Sequence, residues 1–119
     1  MLSLPISQRT WQASRMHLIS MKAILDAVSQ FPQHREELLF LGRVIEKSHC
    51  PTPAALRKLF PTLDNFKYLD KHYVIDIANN NLRVVALIFF ESQKFYVRHV
   101  FTHKKYDRFT EKHRTKGKK

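Results

Sequence analysis

Asn81-Leu82-Arg83-Val84-Val85-Ala86-Leu87-Ile88-Phe89-Phe90, then Lys94-Phe95-Tyr96-Val97-Arg98-His99-Val100-Phe101, then Thr102-His103-Lys104-Lys105-Tyr106-Asp107: these three runs decide the reading of the chain. The first two are rich in β-branched and aromatic residues and are joined by a short polar turn, the pattern of a β-hairpin. Between Leu82 and Phe90 the only polar residue is Arg83, so that strand is expected to be central and covered on both faces. The third run is basic and opens a helical pattern.

Upstream, Leu69 to Ile77 has a period of two. Leu69, Tyr73, Ile75 and Ile77 share one face; Asp70, His72, Val74 and Asp76 share the other. Asn79-Asn80 suits a type I′ turn, because Asn tolerates positive φ. That turn pairs Ala78 with Asn81 and Asp76 with Arg83. A second turn around Ser92-Gln93 is expected to pair Phe90 with Phe95, Leu87 with Arg98, and Arg83 with Thr102. These registers predict a core face of Tyr73, Ile75, Ile77, Leu82, Val84, Ala86, Ile88, Phe90, Phe95, Val97 and Phe101. The opposite face then carries Asp70, His72, Asp76, Arg83, Arg98 and Thr102, set among Val74, Val85, Leu87, Phe89, Tyr96 and Val100. A slip of one residue would bury both arginines. Lys71 and His99 fall on the core face by this count, which predicts a bulge or an edge position there.

His17-Leu18-Ile19 reads as a short first strand ending at Ser20, a suitable N-cap for a helix with Met21, Ile24, Leu25 and Val28 on one face. A second helix is expected from about His34 to Lys47, with a stripe of Leu38, Leu41, Val44 and Ile45 widened by Leu39 and Phe40. Glu36 and Glu37 at its start and Lys47 at its end suit the helix dipole. The short connection at Pro32 makes the two helices an antiparallel hairpin. Thr52-Pro53 is an N-cap and N1 pair for a short helix through Leu56, Leu59 and Phe60. After Thr102, Tyr106, Phe109 and His113 fall on one side of a helix, with Lys105, Arg108 and Lys112 on the other. The chain thus divides into an extension at 1–15 with no periodicity, a domain at 16–113, and a basic tail at 114–119. The fold class is α+β: an antiparallel-dominated sheet packed on an N-terminal helical hairpin, with a short C-terminal helix.

Length and composition narrow the function. The 119 residues make one domain, and 21 Lys+Arg against 10 Asp+Glu give a formal net charge of +11 and a pI near 10.1. Such a charge concentrates polyanions around the protein, so nucleic acid, a ribonucleoprotein or an acidic protein is the expected partner. Cys50 is the only cysteine, which excludes an intramolecular disulfide and a cysteine-based zinc site. No run approaches the roughly 18 apolar residues of a membrane-spanning helix. The reading is of a reducing, cytoplasmic protein with no membrane partner, no metal and no cofactor.

His72, His99 and His103 have no helical pairing that would hold a metal. With two glycines in the chain, no phosphate-cradling loop is expected. Fixed cations, one imidazole and several phenols remain, which suffice for metal-free RNA cleavage. The ribose 2′-OH can attack the adjacent phosphate, provided the protein holds it in line, stabilises the added charge and moves two protons. Arg83 is the candidate phosphate clamp, since a guanidinium binds two oxygens at once. His103 is the candidate acid/base, and Tyr106 either stacks on a base or shares the proton transfer. Bland readings stand beside these: Arg83 as the cross-strand partner of Asp76, His103 as a bonded surface residue, Tyr106 as core with Phe109. The run from Lys104 is either a solvated face or a contact surface for rRNA.

Asp64-Asn65-Phe66-Lys67-Tyr68, Asp70-Lys71, Asn81-Leu82-Arg83-Val84-Val85-Ala86, Phe90-Glu91, Lys94, Tyr96-Val97-Arg98, Thr102-His103-Lys104 and Tyr106-Asp107 together resemble the HigB toxins of bacterial type II toxin–antitoxin pairs. The resemblance runs from Met16 to Lys119, with Met16-His17-Leu18-Ile19 matching the family's usual start. It implies a small RelE-like fold and an mRNA interferase that cuts messages in the ribosomal A site, in contact with rRNA and held inactive by a HigA-type antitoxin. The wider fold places an Arg on a central strand and a late His or Tyr beside the scissile phosphate. Arg83, His103 and Tyr106 occupy matching places, with Lys67 as a further catalytic group. Lys71, Arg98, Lys104, Lys105 and Arg108 are the RNA-binding candidates. A rival reading is a non-catalytic basic RNA- or ribosome-binding protein; a third is a toxin scaffold with a decayed site.

Overall fold

The structure, a computed structural model, describes residues 15–19 and 21–117, with side chains to Arg114. The expected cap Ser20 and all of the expected extension except Arg15 lie outside the described residues. The helical part follows a short strand β1 (His17–Leu18): α1 (Met21–Gln30), a 3-10 turn (Pro32–His34), α2 (Arg35–Lys47) and α3 (Pro53–Leu59). Then come β2 (Asp64–Asn65), β3 (His72–Ile77), β4 (Leu82–Phe89) and β5 (Lys94–Phe101), and α4 (His103–Gly117) closes the described chain. Thr52 caps α3 as its sequence predicts, its Oγ1 accepting from Ala55 N at 3.2 Å with Pro53 behind it. Gly42 lets α1, α2 and β1 meet: a Cβ there would lie 3.3 Å from Ile24 Cδ1 and 3.5 Å from the Leu18 and Met21 side chains.

The five strands run in the order β1-β5-β4-β3-β2, with β1 parallel to β5 and every other pair antiparallel. One face packs on α1 to α3 through Ile24, Leu38, Leu41, Ile45, Leu56, Ile75, Leu82, Val84, Ala86, Ile88, Phe95 and Val97. The other face lies beneath α4 and buries Phe66, Val74 and Val85 against Tyr68, Leu69, Phe101, Tyr106 and Phe109. On α1 the expected stripe of Met21, Ile24 and Val28 meets the core, but Ala27 takes the place of Leu25, which is 53% exposed.

The first hairpin has the expected register, with Asp76 opposite Arg83 and Ile77 opposite Leu82. Asn79 and Asn80 take φ values of 55° and 67°, and Asn81 N donates to Ala78 O at 3.0 Å. β3 begins only at His72, because Leu69 to Lys71 turn and Lys71 has a φ of 58°. The second hairpin departs from expectation. Ile88, not Phe90, faces Phe95, and Tyr96, not Arg98, faces Leu87. Gln93 is the cause: it takes a φ of 56° and closes a turn that consumes Phe90 to Gln93, its N–H bonding Phe90 O at 3.2 Å. Its buried amide also donates to Cys50 O at 2.7 Å and accepts from Cys50 N at 3.1 Å.

The register moves by two residues, which keeps the expected faces, and a bulge then flips them. Ala86 pairs with Val97 but Val85 pairs with His99, so Arg98 is the extra residue, and Arg83 sits opposite Phe101 rather than Thr102. The bulge turns His99 and Phe101 toward α4 and Val100 toward the aliphatic core, exchanging the sides expected for them. Arg98 consequently leaves the face that carries Arg83. The last helix also runs past its expected end at His113 to Gly117, with Arg114 paired to Glu111 one turn back.

Candidate active site

Arg83 is the second residue of β4, on the face covered by α4, and its neighbours hold it from two sides. Its Nε lies 3.2 Å from Asp76 Oδ1 across the strand pair, with the two side chains 26% and 22% exposed. The alignment is too poor for a hydrogen bond, so this is an ion contact and Nε has no hydrogen-bond partner. From α4, the Tyr106 ring faces the guanidinium, with Cζ 4.8 Å from the ring centre. Tyr106 is itself braced edge-on by Phe66 at 6.2 Å.

Asp76 is held by a residue from outside the hairpin. Thr62 Oγ1 accepts from Asp76 N at 2.9 Å and donates to Asp76 O at 3.0 Å, which clamps the chain before β2 onto β3. Thr62, Asp64, Asn65, Asp76, Arg83 and Tyr106 line a concavity of about 110 Å³. Thr62 is absent from the sequence candidates, and its contact with Asp76 spans a loop that no periodicity announces. Asp64 and Asn65 were visible only as part of the Asp64-Asn65-Phe66 run.

His103 opens α4, and its Nε2 bonds the Asn80 carbonyl at the tip of the β3–β4 turn. A carbonyl only accepts, so Nε2–H is the donor in this bond. The remaining candidates are more dispersed. Lys67 is exposed, with Nζ 5.3 Å from the Tyr68 ring centre, and Tyr68 in turn meets Phe66 at 5.7 Å. Lys71 lies at the far end of the sheet, its carbonyl accepting from Ile88 N at 3.0 Å, about 16 Å along β4 from Arg83 at ~3.3 Å per residue. Its ammonium is 3.8 Å from Asp70. Arg98 and Lys105 share a cleft of about 320 Å³ between α1 and β5, which Asp26 and Gln30 also line. Lys104, Lys105 and Arg108 are exposed on the first turns of α4.

Beside the site, His99 stacks on Phe101 at 4.9 Å and 11° and meets Phe109 at 5.0 Å. Burial pushes its pKa below the ordinary histidine value, and the positive fields of Arg98, His72 and His113 push it further. A neutral imidazole suits that ring stack. Among the described residues no group of three His, Cys, Asp or Glu side chains is placed to hold a metal, and no helix is long and apolar enough to cross a membrane.

The structure thus sets a strand arginine between a carboxylate and a phenol, beneath a helix whose first turns expose Lys104, Lys105 and Arg108. The comparisons narrow this. Residues 34–109 match the model of the HigB toxin family, described as the RelE-like toxic component of a toxin–antitoxin system. Over 104 residues the chain is 60% identical to the mRNA interferase toxin HigB of Escherichia coli K12, an alignment covering 87% of this chain and all of that protein. The mRNA interferase HigB of Shigella flexneri is likewise 60% identical over 104 residues, 87% of this chain and all of that protein. The mRNA interferase HigB of Escherichia coli O6:H1 is 41% identical over 99 residues, 83% of this chain and 96% of that protein. This chain belongs to the HigB toxin family.

Proposed function

We propose that the chain is an mRNA interferase, a metal-independent endoribonuclease that cleaves messages on the ribosome and is held in check by a HigA-type antitoxin in the cytoplasm. The observation that carries this reading is Arg83 fixed between Asp76 and Tyr106, in a chain 60% identical to proteins named mRNA interferases. In the proposed reaction the 2′-oxygen forms a bond to the adjacent phosphorus while the bond from phosphorus to the 5′-oxygen breaks. The products are a 2′,3′-cyclic phosphate and a 5′-hydroxyl end. Arg83 meets the phosphate through its terminal nitrogens, since its contact to Asp76 is made through Nε, and it stabilises charge on the equatorial oxygens. His103 exchanges a proton through Nδ1, while its Nε2–H holds the Asn80 carbonyl and so orients the ring. Tyr106 orients Arg83 and offers a face for a base, while Lys67 adds positive charge at the rim. Arg98, Lys104, Lys105, Arg108 and the more distant Lys71 hold the RNA or rRNA backbone.

The ion contact of Arg83 with Asp76 favours the second reading, a non-catalytic RNA- or ribosome-binding protein in which that arginine is structural. Induction of the chain alone, with mapping of mRNA 5′ ends, separates the two. New 5′ ends that vanish in Arg83→Ala are expected; intact messages and normal growth under wild-type induction would overturn the nuclease reading. Wild-type cleavage by both Arg83→Ala and His103→Gln would instead move the site elsewhere.

A further inference from the structure

A groove of about 440 Å³ opens between α2, α3 and the end of β3, lined by Glu36, Glu37, Phe40, Leu59, Ile77 and Ala78. Phe40 and Leu59 are 57% and 45% exposed, so two large apolar side chains stand in water at one place. The rim has the wrong charge for RNA. In a chain with 21 cationic and 10 acidic residues, two adjacent carboxylates guard this groove, and Arg43 at its side offsets only one of them. A polyanion drawn to α4 is repelled here, whereas a protein segment with apolar side chains beside Lys or Arg is complementary in both respects.

We infer that this groove is the docking site of the antitoxin, which fills it with apolar side chains and pairs basic residues with Glu36 and Glu37. The inference rests on membership of a toxin–antitoxin family and not on the nuclease chemistry. The floor of the groove, Ile77 and Ala78, continues into the turn whose Asn80 carbonyl is gripped by His103, and Asp76 precedes it. An occupant therefore touches the turn that joins the partners of Arg83 and His103.

The test titrates the full chain with the antitoxin protein of the same pair, without RNA. Phe40→Asp and Leu59→Asp are each expected to weaken binding by about tenfold or more. The double reversal Glu36→Lys with Glu37→Lys should weaken it severalfold, with the loss shrinking at high salt. Leu25→Asp, an exposed apolar side chain on α1, serves as the control and should stay within about twofold of wild type. Should Phe40→Asp fail to fold, Phe40→Ser and the charge reversal carry the same comparison. Wild-type affinity in all the groove variants overturns the inference. So does conversion of the free toxin from dimer to monomer by Phe40→Asp, which would make a second copy the occupant. Tighter antitoxin binding by Trp11→Ser in the full chain would do the same, making the chain's own N-terminal segment the occupant. A wild-type chain that binds the antitoxin but cuts no message leaves this result standing and fails only the nuclease reading.

Discussion

Against α1, α2 and α3 the sheet sets aliphatic side chains that are almost wholly shielded, with Phe95, Ile75, Val84 and Ala86 at 0% exposure. Against α4 it sets rings and charges: only Phe66, Val74 and Val85 are buried there, and Tyr106, Phe109, His99, Arg83 and Asp76 are partly open. Both faces come from the same three strands, alternating residue by residue. The close-packed side gains most of the burial energy. The thin side can therefore hold an arginine whose pairing is imperfect, because the fold does not depend on every contact there. Aromatic edges suit that task, since they pack at many angles and tolerate a cation over their faces.

The division breaks first where it is most strongly drawn. Phe95→Ala should cost about 4 kcal/mol, measured by urea unfolding, because the cavity has no room to collapse. An equal loss from a substitution under α4 would mean the two faces are not unequal. Arg83→Ala should lower message cleavage by about a hundredfold, or ~2.7 kcal/mol of transition-state stabilisation. Its unfolding free energy should move by under about 1 kcal/mol. Arg83→Lys should recover little of the activity, because an ammonium does not reproduce the planar fork. Phe109→Leu keeps the apolar volume but loses ring contacts to Phe66, His99, Phe101 and His113, and should cost about 1 kcal/mol in the same unfolding assay.

The smallest effect concerns pH. The folded chain holds His99 below the ordinary value of 6.5. As pH falls through 6.5 toward the folded value, the unfolded chain takes up the proton first, so stability declines with acidity across that window. Above it His99 is neutral in both states and contributes no slope. His99→Phe should flatten this part of the stability profile, as read by thermal melts between neutral and mildly acidic buffer.

The sheet's first hairpin was legible because its instruction is local: Asn79-Asn80 tolerates the left-handed turn, and Asp76 then necessarily meets Arg83. The second was not, because Gln93 answers to Cys50, 43 residues away, and a distant amide bond leaves no periodic trace. His99 did betray that something must give, since it fell among the core residues, but not that Arg98 would be the residue expelled. At the site, pattern offered Arg83 and Tyr106 only as separate candidates, and the family resemblance, not register or spacing, set them together. Thr62 was not legible, because its hold on Asp76 crosses an irregular loop. The helix outlasts His113 because the basic run beyond it suits a helix as well as a solvated tail, and composition does not separate the two.

Gln93 also has a bearing on how the chain assembles. Its carbonyl accepts from His17 N at 2.7 Å and its side chain takes both backbone groups of Cys50, so segments from the start, middle and end of the domain are tied at one residue. Closing those loops costs entropy before any of the bonds is gained. Neither β1 nor the loop before α3 has this anchor until the β4–β5 turn exists. The helical half thus lacks part of its anchoring until the β4–β5 turn, the last connection between strands, has emerged from a translating ribosome.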